Sequence, residues 1–262
     1  MWVNDRLTSR YHESLALSVT RADPGAPTVI MFPGFTGLRL NATNRALTAK
    51  LEPYGIRCVV GDLSGHGDSG GTIRQQTIVK ASYEINDVVD YVRDRYSVGR
   101  LGLLGNSFSG NAAILAAARV DDGLRALALK SPVTEYTEMR RSLLRDEGMR
   151  RWREQGWIEL PDGTLSDYRF IEHADSVDTY RELAKITAPV LAIQGSADEE
   201  IPPSARRRLA REMTQHGKRY LLISGANHDL RDPHFGEVIE ALADFLTDKL
   251  LQPSAAKVNV PC

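Results

Sequence analysis

An α/β architecture, built on a mostly parallel, doubly wound sheet with helices on both faces, is what this 262-residue chain predicts, on three observations. Short β-branched runs alternate with longer segments of helical periodicity, which is the sequence form of βαβ units. The run Thr28–Phe32 is apolar without alternation, as a strand covered on both faces is. Composition is that of an ordinary folded chain: 42% hydrophobic, 26% charged, and 33 basic against 34 acidic residues. At roughly 100–200 residues per domain, the length suits one large domain carrying an insertion.

In chain order, Leu15–Thr20 reads as an early strand turned by Asp23-Pro24-Gly25, and Thr28–Phe32 as the next. Ile56–Gly61, Leu101–Leu104, Leu124–Leu129, Val190–Gln194 and Tyr220–Ile223 are further strands. Between them Asn41–Leu51, Ile78–Arg95, Asn111–Arg119, Pro203–Thr214 and Phe235–Leu250 carry apolar residues at helical spacing. After Ser131-Pro132 the rhythm breaks, and roughly fifty residues pass before the next strand, longer than an ordinary connection. Residues 133–185 are therefore expected to form an inserted subdomain, with 1–132 and 186–251 as the core. Its helix would place Tyr136, Met139, Leu143 and Leu144 on one face, and Ile158–Leu165 reads as a hairpin turned at Asp162-Gly163. Residues 252–262 hold no periodic pattern after Pro253 and read as a loose tail.

Near-neutral charge gives no general electrostatic reason to bind nucleic acid. Cys58 and Cys262 offer no disulfide framework, which fits a reducing compartment. The N-terminus lacks the layout of a signal peptide, and no stretch of about 18 apolar residues could span a bilayer. The expectation is a soluble cytoplasmic protein without a membrane partner, with a homodimer left open.

The chemistry concentrates where strands end. Leu101–Leu104 runs into Gly105-Asn106-Ser107-Phe108-Ser109-Gly110, and a helical pattern follows at once. A serine hydroxyl is a poor nucleophile unless a base takes its proton and its position is fixed. A tight strand-to-helix turn fixes the position and aims the helix's free N–H groups at developing negative charge. A plain βα loop is the competing reading of the same residues. Here the chain resembles the α/β-hydrolase family, whose nucleophile motif is G-x-S-x-G. The last glycine of that motif is Ser109 in this chain, with Gly110 one place later.

Six histidines compete for the role of base: His12, His66, His173, His216, His228 and His234. Ligands of open α/β sheets bind outside the carboxyl ends of the strands. His228 directly follows a strand, in Ser224-Gly225-Ala226-Asn227-His228, and Asp198 does so in Gly195-Ser196-Ala197-Asp198-Glu199-Glu200-Ile201-Pro202. The order Ser107, Asp198, His228 is the order that the resemblance requires. Glu199 and Glu200 compete for the acid role, with solvent exposure as their alternative reading. His228-Asp229-x-x-Asp232-x-His234 contains metal-ligand types, but Pro233 interrupts it and no H-E-x-x-H helix is present, so no metal is expected.

By resemblance, Phe32-Pro33-Gly34-Phe35-Thr36-Gly37 is the oxyanion loop, with proline in place of the family's histidine, and the N–H groups of Phe35 and Phe108 would face a substrate carbonyl oxygen. Asp62–Ser69 matches the family's D-x-x-G-H-G-x-S loop, whose histidine, here His66, is read as structural. The implied fold is the α/β-hydrolase fold, with a small helix-plus-hairpin lid inserted after its sixth strand. By position and apparent hairpin, the insertion resembles the lid of cinnamoyl and feruloyl esterase-like members. Trp152, Trp157, Tyr168 and Phe170 are thereby candidates for contacting an apolar or aromatic substrate, against the alternative that each packs the subdomain's own core. Arg140, Arg141, Arg145, Arg150, Arg151 and Arg153 make the front of the insertion basic, which suits either a solvated helix face or an acidic or phosphate-bearing substrate.

These readings imply a serine hydrolase of carboxylic esters acting on a small-molecule ester or thioester. The alternatives are a thioesterase or acyltransferase on carrier-bound acyl groups, and a non-catalytic binding protein on the same fold. No cofactor is expected: Gly99-x-x-Gly102-x-x-Gly105 brackets a strand rather than following one, so the dinucleotide turn is absent.

Overall fold

A computed structural model describes residues 1–120, 123–160 and 162–252. The chain runs β1 (Trp2–Thr8), β2 (Ser14–Thr20), β3 (Thr28–Phe32), α1 (Ala42–Leu51), β4 (Arg57–Gly61), α2 (Ile78–Tyr96), β5 (Leu101–Asn106), α3 (Phe108–Ala117) and β6 (Leu124–Lys130). It continues through α4 (Tyr136–Gln155), β7 (Trp157–Glu159), β8 (Leu165–Asp167), α5 (Arg169–Asp175), α6 (Thr179–Lys185), β9 (Val190–Gly195), α7 (Pro203–Gln215), β10 (Arg219–Ile223) and α8 (Phe235–Leu251). Eight strands form one sheet in the order β1-β2-β4-β3-β5-β6-β9-β10. The pairs β1–β2 and β2–β4 are antiparallel, and all the others are parallel. This is the α/β-hydrolase fold that the sequence implies.

Two apolar layers account for the all-buried strands. On one face Ile30, Phe32, Leu103 and Leu129 pack with Ile85, Val89 and Leu115 of α2 and α3. On the other, Val29, Met31, Leu104 and Ile193 pack with Leu47 of α1 and Leu242 and Leu246 of α8. Every residue of β3, β4 and α3 is buried, so none of the three shows an amphipathic stripe. The helix starts follow local chemistry. The Asn41 side chain accepts from the Asn44 amide at 2.9 Å ahead of α1, and Thr77 accepts from the Lys80 amide at 3.2 Å ahead of α2.

Strand β1 was not expected. Its residues are mostly exposed or half-buried along a sheet edge, so they lack the apolar run by which a buried strand is read. Helix α3 begins at Phe108 rather than Asn111, directly after the serine turn.

Between β6 and β9 the chain leaves the sheet. The expected helix and hairpin are both there, but two further helices of seven residues each, α5 and α6, follow them. Helix α4 is broken at Arg145, whose φ of 58° and ψ of 175° are not helical. Of the expected apolar face, Tyr136 and Met139 are buried and Leu144 packs half-buried against the same core, while Leu143 is 54% exposed. The proposed tail, 252–262, lies outside the described residues except for Gln252. No helix among the described residues is long and apolar enough to cross a membrane.

Candidate active site

Ser107 occupies the turn between β5 and α3 at φ 53°, ψ −111°, a left-handed conformation that non-glycine residues rarely adopt. Backbone proximity explains the small residues around it. A Cβ on Gly105 would lie 2.3 Å from the Ser109 carbonyl oxygen, and one on Gly110 would lie 2.8 Å from Pro132 Cβ. Ser109, the departure from the family motif, is fully buried. Its hydroxyl accepts from the Asn106 amide at 2.8 Å and donates to the Phe32 carbonyl at 2.8 Å, tying the turn to the end of β3.

The loops after β9 and β10 are built as a pair. A Cβ on Gly195 would fall 2.2 Å from the Ala226 carbonyl oxygen, so only glycine lets the two loops approach. They are joined by Ser196 N–H to Ile223 O and Ala197 N–H to Ala226 O, both at 2.9 Å, and by Gly225 N–H to Ser196 Oγ at 2.8 Å. Ser131, at the end of β6, donates from its hydroxyl to the His228 carbonyl at 2.6 Å. The result is a continuous line of side chains, with His228 Nε2 2.9 Å from Ser107 Oγ and His228 Nδ1 2.8 Å from Asp198 Oδ2.

The Asp198 side chain is fully buried. Its Oδ1 accepts the amides of Glu200 and Ile201, each at 2.9 Å, while its Oδ2 accepts from His228 and from Gln194 Nε2 at 2.5 Å. Burial, the largest single influence, pushes this carboxyl up. The His228 hydrogen bond and charge, with the two backbone amides, more than offset it and hold Asp198 below the usual carboxylate value. Asp198 is thus an anion that can fix the imidazole with Nδ1 protonated and Nε2 free to accept from serine. Of the competing acids, Glu200 places Oε2 3.7 Å from His228 Nε2 on the solvent side, and Glu199 is exposed.

A cavity of about 950 Å³ opens beside Ser107 and His228. Gly34 and Phe35 form part of its wall, and a Cβ on Gly34 would sit 3.3 Å from Ser107 Cβ, so the loop after β3 passes close to the serine turn. The Phe108 amide, at the first position of α3, has no intrahelical acceptor. The Phe35 side chain meets Phe108 and Phe170 edge-on at ring-centroid distances of 5.3 and 5.9 Å.

Trp152, Trp157, Tyr168 and Phe170, the four aromatics expected to contact a substrate, are not among the residues that line this cavity. Trp152 is buried, with its indole N–H on the Ser166 carbonyl at 3.0 Å and its ring edge-on to Tyr168 at 5.7 Å. Trp157 lies beside the Arg74 guanidinium at 5.9 Å. Phe170 is buried between Tyr136 and Phe108, so it backs the wall from behind. Each packs the segment's own core or its seam with the sheet domain.

Other residues reach the cavity without having been singled out for it. Lys130, the last residue of β6, is buried beside Ser107 and donates from Nζ to the Asp229 carbonyl at 2.7 Å and Asn106 Oδ1 at 3.4 Å. Burial pushes its ammonium down to about 8. A lysine ending the otherwise apolar Ala126-Leu127-Ala128-Leu129 run was the available signal. Arg140, one of six arginines in α4, lines the cavity with nothing in the sequence to distinguish it from the rest.

His66 is buried, with Nδ1 on the Ser64 carbonyl at 3.1 Å, and burial pushes its pKa down. In the same loop Asp62 is buried and ion-paired to Arg39, an arrangement that shapes the turn. Among the described residues no group of three or more His, Cys, Asp or Glu is placed to hold a metal ion.

A family model described as the alpha/beta hydrolase fold matches residues 27–159. The chain belongs to this family. Over 225 residues it is 26% identical to an uncharacterized protein of Mycobacterium tuberculosis, covering 85% of this chain and 70% of that one. Human mitochondrial palmitoyl-protein thioesterase ABHD10 is 21% identical over 237 residues, 86% of this chain and 74% of that protein. Among solved structures, Est1E from Butyrivibrio proteoclasticus with ferulic acid bound superposes with a TM-score of 0.79 at 24% identity, covering 96% of this chain and all of that one. This α/β hydrolase therefore resembles esterases in fold and has thioesterase-like relatives in sequence.

Proposed function

We propose that this α/β hydrolase is a serine-dependent hydrolase of carboxylic esters, acting through an acyl-enzyme on small to medium apolar or aromatic acyl groups. The observation that carries this reading is the unbroken hydrogen-bonded line from the Ser107 hydroxyl through His228 to the buried Asp198. Ser107 Oγ attacks the acyl carbon as His228 Nε2 takes its proton, and Asp198 stabilises the imidazolium through Nδ1–H. Charge developing on the carbonyl oxygen is met by the amides of Phe35 and Phe108, each such donor being worth about 2.7–4 kcal/mol in the transition state. On collapse, His228 returns the proton to the departing alcohol. Water, deprotonated by the same imidazole, then attacks the acyl-serine, releasing the acid and restoring the hydroxyl. Residues 133–185 serve as a cover over the acyl or leaving-group side. Replacing Ser107 with alanine is expected to abolish both turnover of a short 4-nitrophenyl ester and labelling by a fluorophosphonate. Full labelling of the variant would refute the assignment, and an intact protein that binds an ester without an acyl burst would favour the non-catalytic reading.

A thioesterase or acyltransferase using the same three residues is supported by the name of the human relative. Its electrostatic motive is weaker than the arginine count suggests. Arg150 is engaged by Glu147 at 2.7 Å and Glu154 at 2.8 Å, and Arg141 lies 3.2 Å from Asp146. Hydrolysis of an acyl-CoA compared with the matching oxygen ester separates the two readings. A preference for the oxygen ester, unchanged by charge reversal at Arg150 and Arg151, removes the second.

A further inference from the structure

Among the described residues of the cavity wall, Arg140 is a cation with neither a carboxylate nor a hydrogen-bond partner at its buried Nε. Arg140, on α4, lines the cavity together with Gly34 and Phe35 of the loop after β3. Its Nε is shut off from solvent and has no hydrogen-bond partner, and among the described residues no carboxylate lies within 4.0 Å of its guanidinium. The other cations of the wall are occupied: Arg231 pairs with Asp229 at 2.9 Å, and Lys130 is held on the Asp229 carbonyl. Asp162 and Glu200 face Arg140 electrostatically without forming an ion pair, and burial outweighs them, pushing the guanidinium's pKa down. A guanidinium has donors and no acceptor, and leaving the buried Nε–H unspent is costly. Its planar fork matches a carboxylate in a two-bond arrangement. A doubly charged phosphate fits less well, because Asp162, Glu200 and Asp232 share the same wall.

We infer that Arg140 is a specificity-determining residue that anchors a carboxylate on the substrate, so that this hydrolase prefers esters carrying a second, free acid group. The inference rests on the serine-hydrolase reading. The carboxylate could belong to the acyl part or to the alcohol, and the chemistry at Arg140 is the same in both.

The test is a pair of shape-matched comparisons, acid against neutral amide, on the full chain. For the acyl side, 4-nitrophenyl hydrogen adipate is compared with its neutral monoamide, and for the alcohol side 4-carboxyphenyl butyrate is compared with 4-carbamoylphenyl butyrate. In at least one pair the native enzyme is expected to show the higher kcat/KM for the acid. Arg140→Met should lower that acid-to-neutral ratio by on the order of 10- to 100-fold, with Arg140→Lys in between. The pair that responds identifies the side on which the carboxylate lies. A purely structural role for Arg140 would lower both members together and leave the ratio alone, which overturns the inference. So does a native enzyme that labels with a fluorophosphonate but favours the neutral member of both pairs. Absence of labelling in the native protein would instead bring down the hydrolase reading, and this inference with it.

Discussion

The rim of the sheet and the segment between β6 and β9 are held by different kinds of contact. At the rim, backbone meets backbone: Gly105 against Ser109 and Gly195 against Ala226. The segment is held by side chains, through the Trp152 indole on Ser166, the Phe170 ring between Tyr136 and Phe108, and the Arg74–Asp167 ion pair at 2.6 Å that crosses to the sheet domain. Backbone contacts at glycine admit almost no substitution, so the rim is rigid and its chemistry is fixed in place. Side-chain packing tolerates exchange of shape and volume, which leaves the segment, and the part of the cavity wall it supplies, freer to vary.

Three changes would sharpen that contrast. Asp198→Asn at the rim is expected to lower kcat by about 10³–10⁴-fold while thermal unfolding moves little, because the amide keeps the geometry but favours the wrong imidazole tautomer. Steady-state kinetics beside a melting curve would show it, and equal loss of both would mean that Asp198 is principally structural. In the segment the effect should invert. Trp152→Ala removes a buried indole and its hydrogen bond, at a cost of about 3–5 kcal/mol in unfolding free energy. The protein that remains folded should label at Ser107 at close to the native rate, and a lost labelling rate in folded protein would show that the two regions are coupled.

The smallest effect belongs to Lys130, where burial holds the ammonium at about 8, against about 10.4 in an unfolded chain. Between those values the unfolded chain binds more protons, so the contribution of this group to stability rises with pH. Relative to a Lys130→Met variant, the native protein should gain about 1 kcal/mol between pH 8 and 9 in urea unfolding. A flat difference would mean that the ammonium is better solvated than its position implies.

The same contrast governs what could be read from the sequence. Ser107, Asp198 and His228 sit in loops whose glycines are required by close backbone approach, and such glycines are visible as motifs. The parallel strands were legible because burial on both faces leaves an apolar run without alternation. Strand β1 was not, because a mostly exposed edge strand reads as polar loop. Helices α5 and α6 span only seven residues each, too short for a 3.6-residue period to emerge. The aromatics of the segment were visible, but their direction was not: whether a tryptophan points into a cavity or into its own core depends on the break at Arg145 and the packing of neighbours far along the chain. Gln194 and Ser131 carry no spacing signal, since each acts through a partner set by tertiary contact, and Arg140 differs from the other arginines of α4 only in lining the cavity once the chain is folded.

The hydroxyl of Ser109 also bears on how the molecule assembles. Because it reaches across to the Phe32 carbonyl, 77 positions earlier in the chain, strand β5 and helix α3 cannot complete the serine turn by themselves. Contacts so distant in sequence form late, after the intervening loop has closed. A partly folded chain would therefore hold Ser107 without its turn, and on the proposed function its reactivity would emerge only once the centre of the sheet has come together.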